Sequence, residues 1–187
     1  MPDASEFESA FEVTLRGGGT LRVRLVRDSD LDEIVRFGAA VRRTTEFTSI
    51  AEGEDWDGER WTKEIEKGQP GSAGLLLVAL DDDEIVGYAG LQTPGKGKSR
   101  HVTTLAMMIH ERYRGVGLGR ALLSRLLGWA RARGDILKVE LGVMHTNAGG
   151  IALYEKLGFR EEGRLLKKFR QADGSFEDDI EMGLWVG

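Results

Sequence analysis

"ERYRGVGLGRALLSRLLGWARARG", residues 111–134, sets Gly115, Gly117 and Gly119 two apart beside arginines and then runs into a leucine-rich pattern. Leu122, Leu126 and Trp129, with Leu123, Leu127 and Ala130, recur at fours and threes, which predicts an amphipathic helix beginning at the glycines. The first amides of such a helix have no carbonyl one turn back, and the helix dipole adds positive potential there. Glycine permits positive φ and close backbone approach, so the expected ligand is a phosphate or pyrophosphate.

Three anion binders compete for that loop, beside the plain alternative of a glycine-rich turn before an ordinary core helix. A Walker P-loop needs a Lys-Ser/Thr pair at the helix start, where this chain has Arg120 and Ala121. A dinucleotide fingerprint starting at Gly115 needs glycine at position 120, which is again Arg120; only Glu140, about 20 residues on, stands where its ribose-binding acid would. The third pattern, R/Q-x-x-G-x-G/A after a strand and opening a helix, is met by Arg114, Gly115, Val116, Gly117, Leu118 and Gly119.

Either side of this stretch the periodicity alternates between strand and helix. "FEVTLRGGGTLRVRLV" reads as a hairpin around Gly17 to Gly19. Asp28, Ser29 and Asp30 are N-cap candidates for a helix with Leu31, Ile34, Val35 and Ala39 on one face. "DGERWTKEIEKG" predicts a second helix burying Trp61 and Ile65, and the polar "TTEFTSIAEGEDW" between the two is a mobile-loop candidate. Two apolar runs flank the acidic turn at Asp81 to Asp83, and "HVTTLAMMI" is a strand leading to the quoted stretch. Strand "ILKVELGVM", short helix "NAGGIALYEKLG" and strands "FREEGRLLKKFR" and "SFEDDIEMGLWV" follow. Hairpins at both ends with helical crossovers between them predict an α+β, mixed α/β architecture on one sheet.

The 187 residues, without repeats, are read as one domain over 1–187. With 41% apolar and 30% charged residues, no run approaches a membrane span, and "MPDASEFESAFEV" has no secretory pattern, so a cytoplasmic protein is expected, with no membrane partner. The absence of cysteine removes thiol nucleophiles and Cys-ligated zinc, and His101, His110 and His145 have no metal-motif spacing, so no metal is expected. A net charge of −5 argues against a general nucleic-acid partner and favours amine-bearing small ones.

About 30 residues beyond the glycine loop, "NAGGIALYEKLGFREEG" supplies N-x-x-A-x-x-L-Y-x-K-x-G-F apart from Gly150, where alanine is usual. Together the two segments resemble the GNAT superfamily of N-acetyltransferases, roughly over residues 20 to 186, with residues 1–20 partly outside that core as an extra N-terminal strand. The C-terminal half looks like the branch acting on ribosomal-protein N-termini, polyamines and amino acids. The resemblance implies a mostly antiparallel mixed sheet flanked by about four helices, in which the family's parallel fourth and fifth strands, here "HVTTLAMMI" and "ILKVELGVM", splay apart. It also implies acetyl-CoA as cosubstrate and direct attack on its thioester by a primary amine of a small molecule or of a peptide or protein N-terminus.

Residue by residue, the implied binding groups are the backbone of Met107, Met108 and Ile109 for the pantetheine arm, and Arg114, Gly115, Val116, Gly117, Leu118, Gly119 and Arg120 for the pyrophosphate. Met107 and Met108 would fill core as well. Tyr154 stands where the family's tyrosine protonates the departing thiolate, although in an amphipathic helix it is also a core residue. Asn147 is either a helix cap or a coenzyme ligand. For the proton on the incoming amine, the candidates are His101 at the head of the pantetheine strand and Glu46 in the loop between the first two helices, with Glu140 on the neighbouring strand. Glu177, Asp178, Asp179 and Glu181 form an acidic run that would draw a cation or simply be solvated. Leu184 and Trp185 on the last strand suggest a homodimer. The alternative to an enzyme is a catalytically inactive acyl-CoA-binding sensor or interaction module.

Overall fold

The computed structural model describes residues 3–48, 57–69, 72–93 and 97–187. Strands β1 (Phe11–Thr14), β2 (Thr20–Leu25), β3 (Gly74–Asp81), β4 (Glu84–Gln92), β5 (Val102–Ile109), β6 (Lys138–Met144), β7 (Arg160–Arg170) and β8 (Phe176–Trp185) form one sheet in the order β1-β2-β3-β4-β5-β6-β8-β7. Every neighbouring pair is antiparallel except β5 and β6. The helices are α1 (Leu31–Thr44), α2 (Gly58–Lys67), α3 (Leu118–Arg133) and α4 (Ala148–Lys156). Among the described residues no helix is long and apolar enough to cross a membrane.

Helical periodicity decides which face each helix covers. In α1, Ile34, Phe37 and Val41 are buried, and in α2 Trp61 and Ile65; they close over Val78 and Leu80 of β3 and Ile85 and Tyr88 of β4. A side chain at Gly38 would come within 3.2 Å of the Trp61 ring, so glycine lets the two helices approach. On the opposite face, Leu118, Leu122, Leu123, Leu126, Leu127 and Trp129 of α3 pack with Leu105, Val139, Leu141 and Val143 and with Tyr154 of α4. Helices α1 and α2 pack on β3, β4 and β5.

One local reading changes. Asp30 precedes α1 but does not cap it through its side chain; its carboxylate takes a two-pronged bond from Arg24 at 2.6 and 2.8 Å and the Arg27 amide at 2.8 Å, because a buried guanidinium needs a partner more than a helix end needs a cap. The N-terminal residues are joined to the core. A 3-10 turn at Ala4–Glu8 lies on α3, where a side chain at Gly128 would strike the Phe7 ring, and Arg125 donates to the carbonyls of Glu6, Phe7 and Ser9. Residues 11–14 form β1, paired antiparallel with β2. Of the mobile-loop candidate, residues 49–56 lie outside the described residues.

Candidate active site

Strands β5 and β6 are laddered only at Val102–Lys138, Thr103–Val139 and Thr104–Glu140; beyond that rung they part, as the resemblance implied. The pairing of β5 with β4 continues to Ile109, and the next residue, His110, donates its amide to the Val86 carbonyl at 2.9 Å. Antiparallel rungs alternate between bonded and non-bonded pairs, so the main chain of Met108 turns to β4 while that of Met107 and Ile109 turns into the gap. Two of the three expected pantetheine residues therefore offer backbone groups to a ligand. Met108 contributes packing instead, against the cluster beneath α1 and α2.

The glycine loop stands at the mouth of this gap. Gly115 and Gly117 take φ of +73° and +105°, a region side chains avoid, and Gly117 is the N-cap of α3. The first bond of the helix runs from the Ala121 amide to the Gly117 carbonyl at 3.1 Å, and no side chain caps the end. The amides of Leu118, Gly119 and Arg120 are thus left to point outward. No acidic residue occupies the first turn, and Arg112, Arg114 and Arg120 are exposed nearby, so the donor set fits a dianionic phosphate group. At Gly119 an added side chain would meet Leu153 at 3.1 Å and Ile109 at 3.3 Å; glycine here brings the end of α3 against both β5 and α4. Arg114 donates from Nε to the Ile109 carbonyl at 2.8 Å, which ties loop to strand. The Val116 carbonyl is held from the other side by the Arg16 amide, at 2.9 Å.

Tyr154 follows from α4, one residue beyond Leu153. It is 8% exposed, packs edge-on against Phe159 with ring centres 5.9 Å apart, and burial pushes its phenol up to about 12. It therefore carries its proton throughout the neutral range. Asn147 is the helix cap: its Oδ1 accepts the Gly150 amide at 2.9 Å. Alanine at position 150 would place a carbon 2.9–3.0 Å from the Asn147 amide group, so the unusual glycine makes room for this cap.

The candidates for the amine's proton are dispersed. His101 heads β5 at the laddered end, its carbonyl taken by the amides of Leu137 and Lys138 and its ring centre 6.3 Å from that of Trp185. At about 3.3 Å per residue, it lies roughly 20 Å along the strand from Met107. Glu46 is exposed but adjoins Thr45, whose Oγ1 is 3.5 Å from Arg114 Nη1, so its segment does approach the loop. Glu140 sits on the last closed rung, with Lys138 3.9 Å away. The acidic run holds what periodicity did not reveal: Asp179 is only 3% exposed, with Lys168 Nζ 2.6 Å from it. Alternation along β8 does not show Gly142, the missing side chain on β6 whose space Asp179 fills.

Residues 40–159 match the model of the acetyltransferase (GNAT) family. The chain is 32% identical to the ribosomal protein bS18-alanine N-acetyltransferase of Salmonella typhimurium, over 66% of this chain and 80% of that one. It is 28% identical to an L-amino acid N-acetyltransferase of Escherichia coli over 54% of this chain, spanning 62% of the relative's length. The crystal structure of a GNAT-family acetyltransferase from Streptococcus pneumoniae superposes with a TM-score of 0.80 at 28% identity, covering 89% of this chain and 99% of the other.

Proposed function

The chain belongs to the acetyltransferase (GNAT) family, an acyltransferase family whose donor is acetyl-CoA, and from that premise we propose that it acetylates the primary amine of a small molecule or of a peptide or protein N-terminus. One observation carries the reading: the only parallel seam among the described residues opens directly below a helix N-terminus with three outward amides. The amides of Leu118, Gly119 and Arg120, with the Arg114 and Arg120 side chains, receive the pyrophosphate. The main chain of Met107 and Ile109 bonds the pantetheine amides as an added strand would, and the Met107 amide faces the thioester oxygen.

The amine attacks the thioester carbonyl carbon directly. A C–N bond forms, the C–S bond breaks, and Tyr154 gives its proton to the leaving sulfur, consistent with a phenol that burial keeps protonated. The homodimer belongs to the same proposal: Trp185 is 61% exposed beside the edge formed by β7, where Leu166 is 73% exposed. Sedimentation as a monomer at micromolar concentration would remove it.

The test of the reaction is release of free thiol from acetyl-CoA with spermidine, L-methionine sulfone or an alanine-terminated peptide as acceptor. Acceptor-dependent release accompanied by an acetylated amine is expected. Acetyl-CoA binding without turnover of any of them would overturn the acceptor class, and no binding would overturn the site.

A further inference from the structure

We propose that Asp179 is the group that receives the acceptor's ammonium and takes its proton, an inference that rests on the acetyl-transfer reading above. Among the described residues the buried charged side chains are Arg24, Asp30 and Asp179. The first two bond each other at 2.6 and 2.8 Å, Arg24 on β2 and Asp30 at the head of α1, three strands from β5. Asp179 has no comparable fixed structural partner. Its counter-ion is Lys168, a flexible side chain 40% exposed, which burial in a strong pair would not leave so open.

Its position follows from register. Met144 of β6 pairs with Asp179 of β8, and Gly142 with Glu181, so these side chains share a face of the sheet. It is the face of Ala106 and Met108, the α1 and α2 side. A side chain at Gly142 would lie 2.7 Å from Asp179 Oδ2 and 3.1 Å from Oδ1; the carboxylate leans across β6 into the space that glycine vacates. Continuing the register of the closed rungs would set Gly142 opposite Ala106, in the part of the seam that is open. A donor that enters at the glycine loop and runs down past Ile109 and Met107 cannot pass the Thr104–Glu140 rung. Its acyl end stops beside Ala106 and Gly142, with the Asp179 carboxylate above.

The chain itself supplies an alkylammonium to this carboxylate. At Lys167 β7 bulges, with φ +54° and the Lys167 amide held by Asp178 Oδ1 at 2.8 Å, and the next residue, Lys168, reaches Asp179 at 2.6 Å and Glu181 at 3.5 Å. Hydrogen bonding to Asp179 raises the Lys168 ammonium above its usual range, in keeping with a carboxylate that holds an alkylammonium. The acceptor's ammonium replaces it. The step balances: R–NH3⁺ passes one proton to the Asp179 carboxylate, the free amine forms the C–N bond, and the second N–H proton replaces the one Tyr154 gives to sulfur. The carboxylic acid then returns its proton to solvent.

The test compares wild type with Asp179→Asn, using whichever of spermidine, L-methionine sulfone or the alanine-terminated peptide the wild type turns over fastest. At pH 7 the variant should lose at least about 100-fold in kcat/KM for the acceptor, while its affinity for acetyl-CoA stays within about twofold of wild type on the same scale of effects. The deficit should shrink as pH rises toward the amine's own pKa, where the acceptor arrives uncharged. Other charges around the carboxylate are Lys168 on β7, Glu181 on its own strand, and Glu140 and Lys138 further along β6, with His145 and Glu177 paired at the strand end. In the variant Lys168 loses the main cause of its raised pKa, yet an ordinary lysine ammonium is still charged across the neutral range. Gly142→Ala keeps the carboxylate but displaces it, and should cost at least tenfold, which guards against misfolding of the first variant. A wild type that turns over beside an Asp179→Asn variant within threefold and with the same pH course overturns this assignment alone. A wild type without acceptor-dependent turnover removes the acetyl-transfer reading and this one together.

Discussion

At one end of the seam, from Val102 to Thr104, β5 and β6 hold each other through their main chains; at the other, from Leu105 onward, the same two strands separate. The closed end carries His101 and Thr103, and the open end carries Met107, Ile109 and the approach to Tyr154. A laddered main chain has spent its donors and acceptors, so only side chains could act there. An open one still has obligatory groups to satisfy, and a ligand that does so is bound without any special side chain. Apolar side chains at Met107 and Ile109 can therefore belong to the core while their backbones belong to the site.

The largest effect that would sharpen this contrast is Tyr154→Phe, expected to lower kcat about 100-fold or more with acetyl-CoA binding intact; stopped-time thiol release measures it. Because burial has raised the folded phenol from 10.0 to about 12, the sign of its linkage is fixed. Its contribution to stability is complete below pH 10 and is lost as pH rises from 10 to 12, where the unfolded phenol ionises first. Melting temperatures of wild type should fall more steeply over that window than those of the phenylalanine variant.

Next in size is Gly117→Ala. A side chain forced to φ +105° costs about 1–3 kcal/mol of strain, so the loop should relax and acetyl-CoA affinity by calorimetry should fall about tenfold, with kcat at saturation close to wild type. The smallest effects belong to the closed end. Thr103 is fully buried and its hydroxyl has no hydrogen-bond partner, so Thr103→Val should raise stability by about 1 kcal/mol in denaturant titration without changing kcat. His101→Gln should stay within about twofold of wild-type kcat/KM, by the usual size of a general-base effect. A tenfold loss there would bring the closed end into the chemistry and break the contrast.

Strong periodicity made most of the fold legible. The leucine spacing of α3, the alternation in β1 and β2 and the acidic turn between β3 and β4 each satisfy a local rule that tertiary packing also satisfies. The conformation of the glycine loop was legible because the positive φ of Gly115 and Gly117 is what glycine announces. Asp30 does stand at the N-cap position of α1, but its side chain serves Arg24, a partner that only the folded chain brings beside it. Asp179 was hidden for a related reason: alternation places it on a face, but the empty position that receives it, Gly142, lies 37 residues earlier on another strand. Asn147 reads in the sequence as cap or coenzyme ligand, and its bond to Gly150 shows the cap.

The bond from the Arg16 amide to the Val116 carbonyl joins the β1–β2 hairpin to the donor loop, while the turn at Ala4–Glu8 clamps the helix behind it. A loop that must be ordered by its ligand diverts part of the binding free energy into that ordering, in proportion to how rarely it visits the competent shape. Here the hairpin holds that shape in advance. If the loop takes the donor as proposed, breaking the Arg16–Val116 bond should weaken donor binding although neither residue's side chain is among the proposed donor contacts, and the N-terminal hairpin would act as a brace on the binding population.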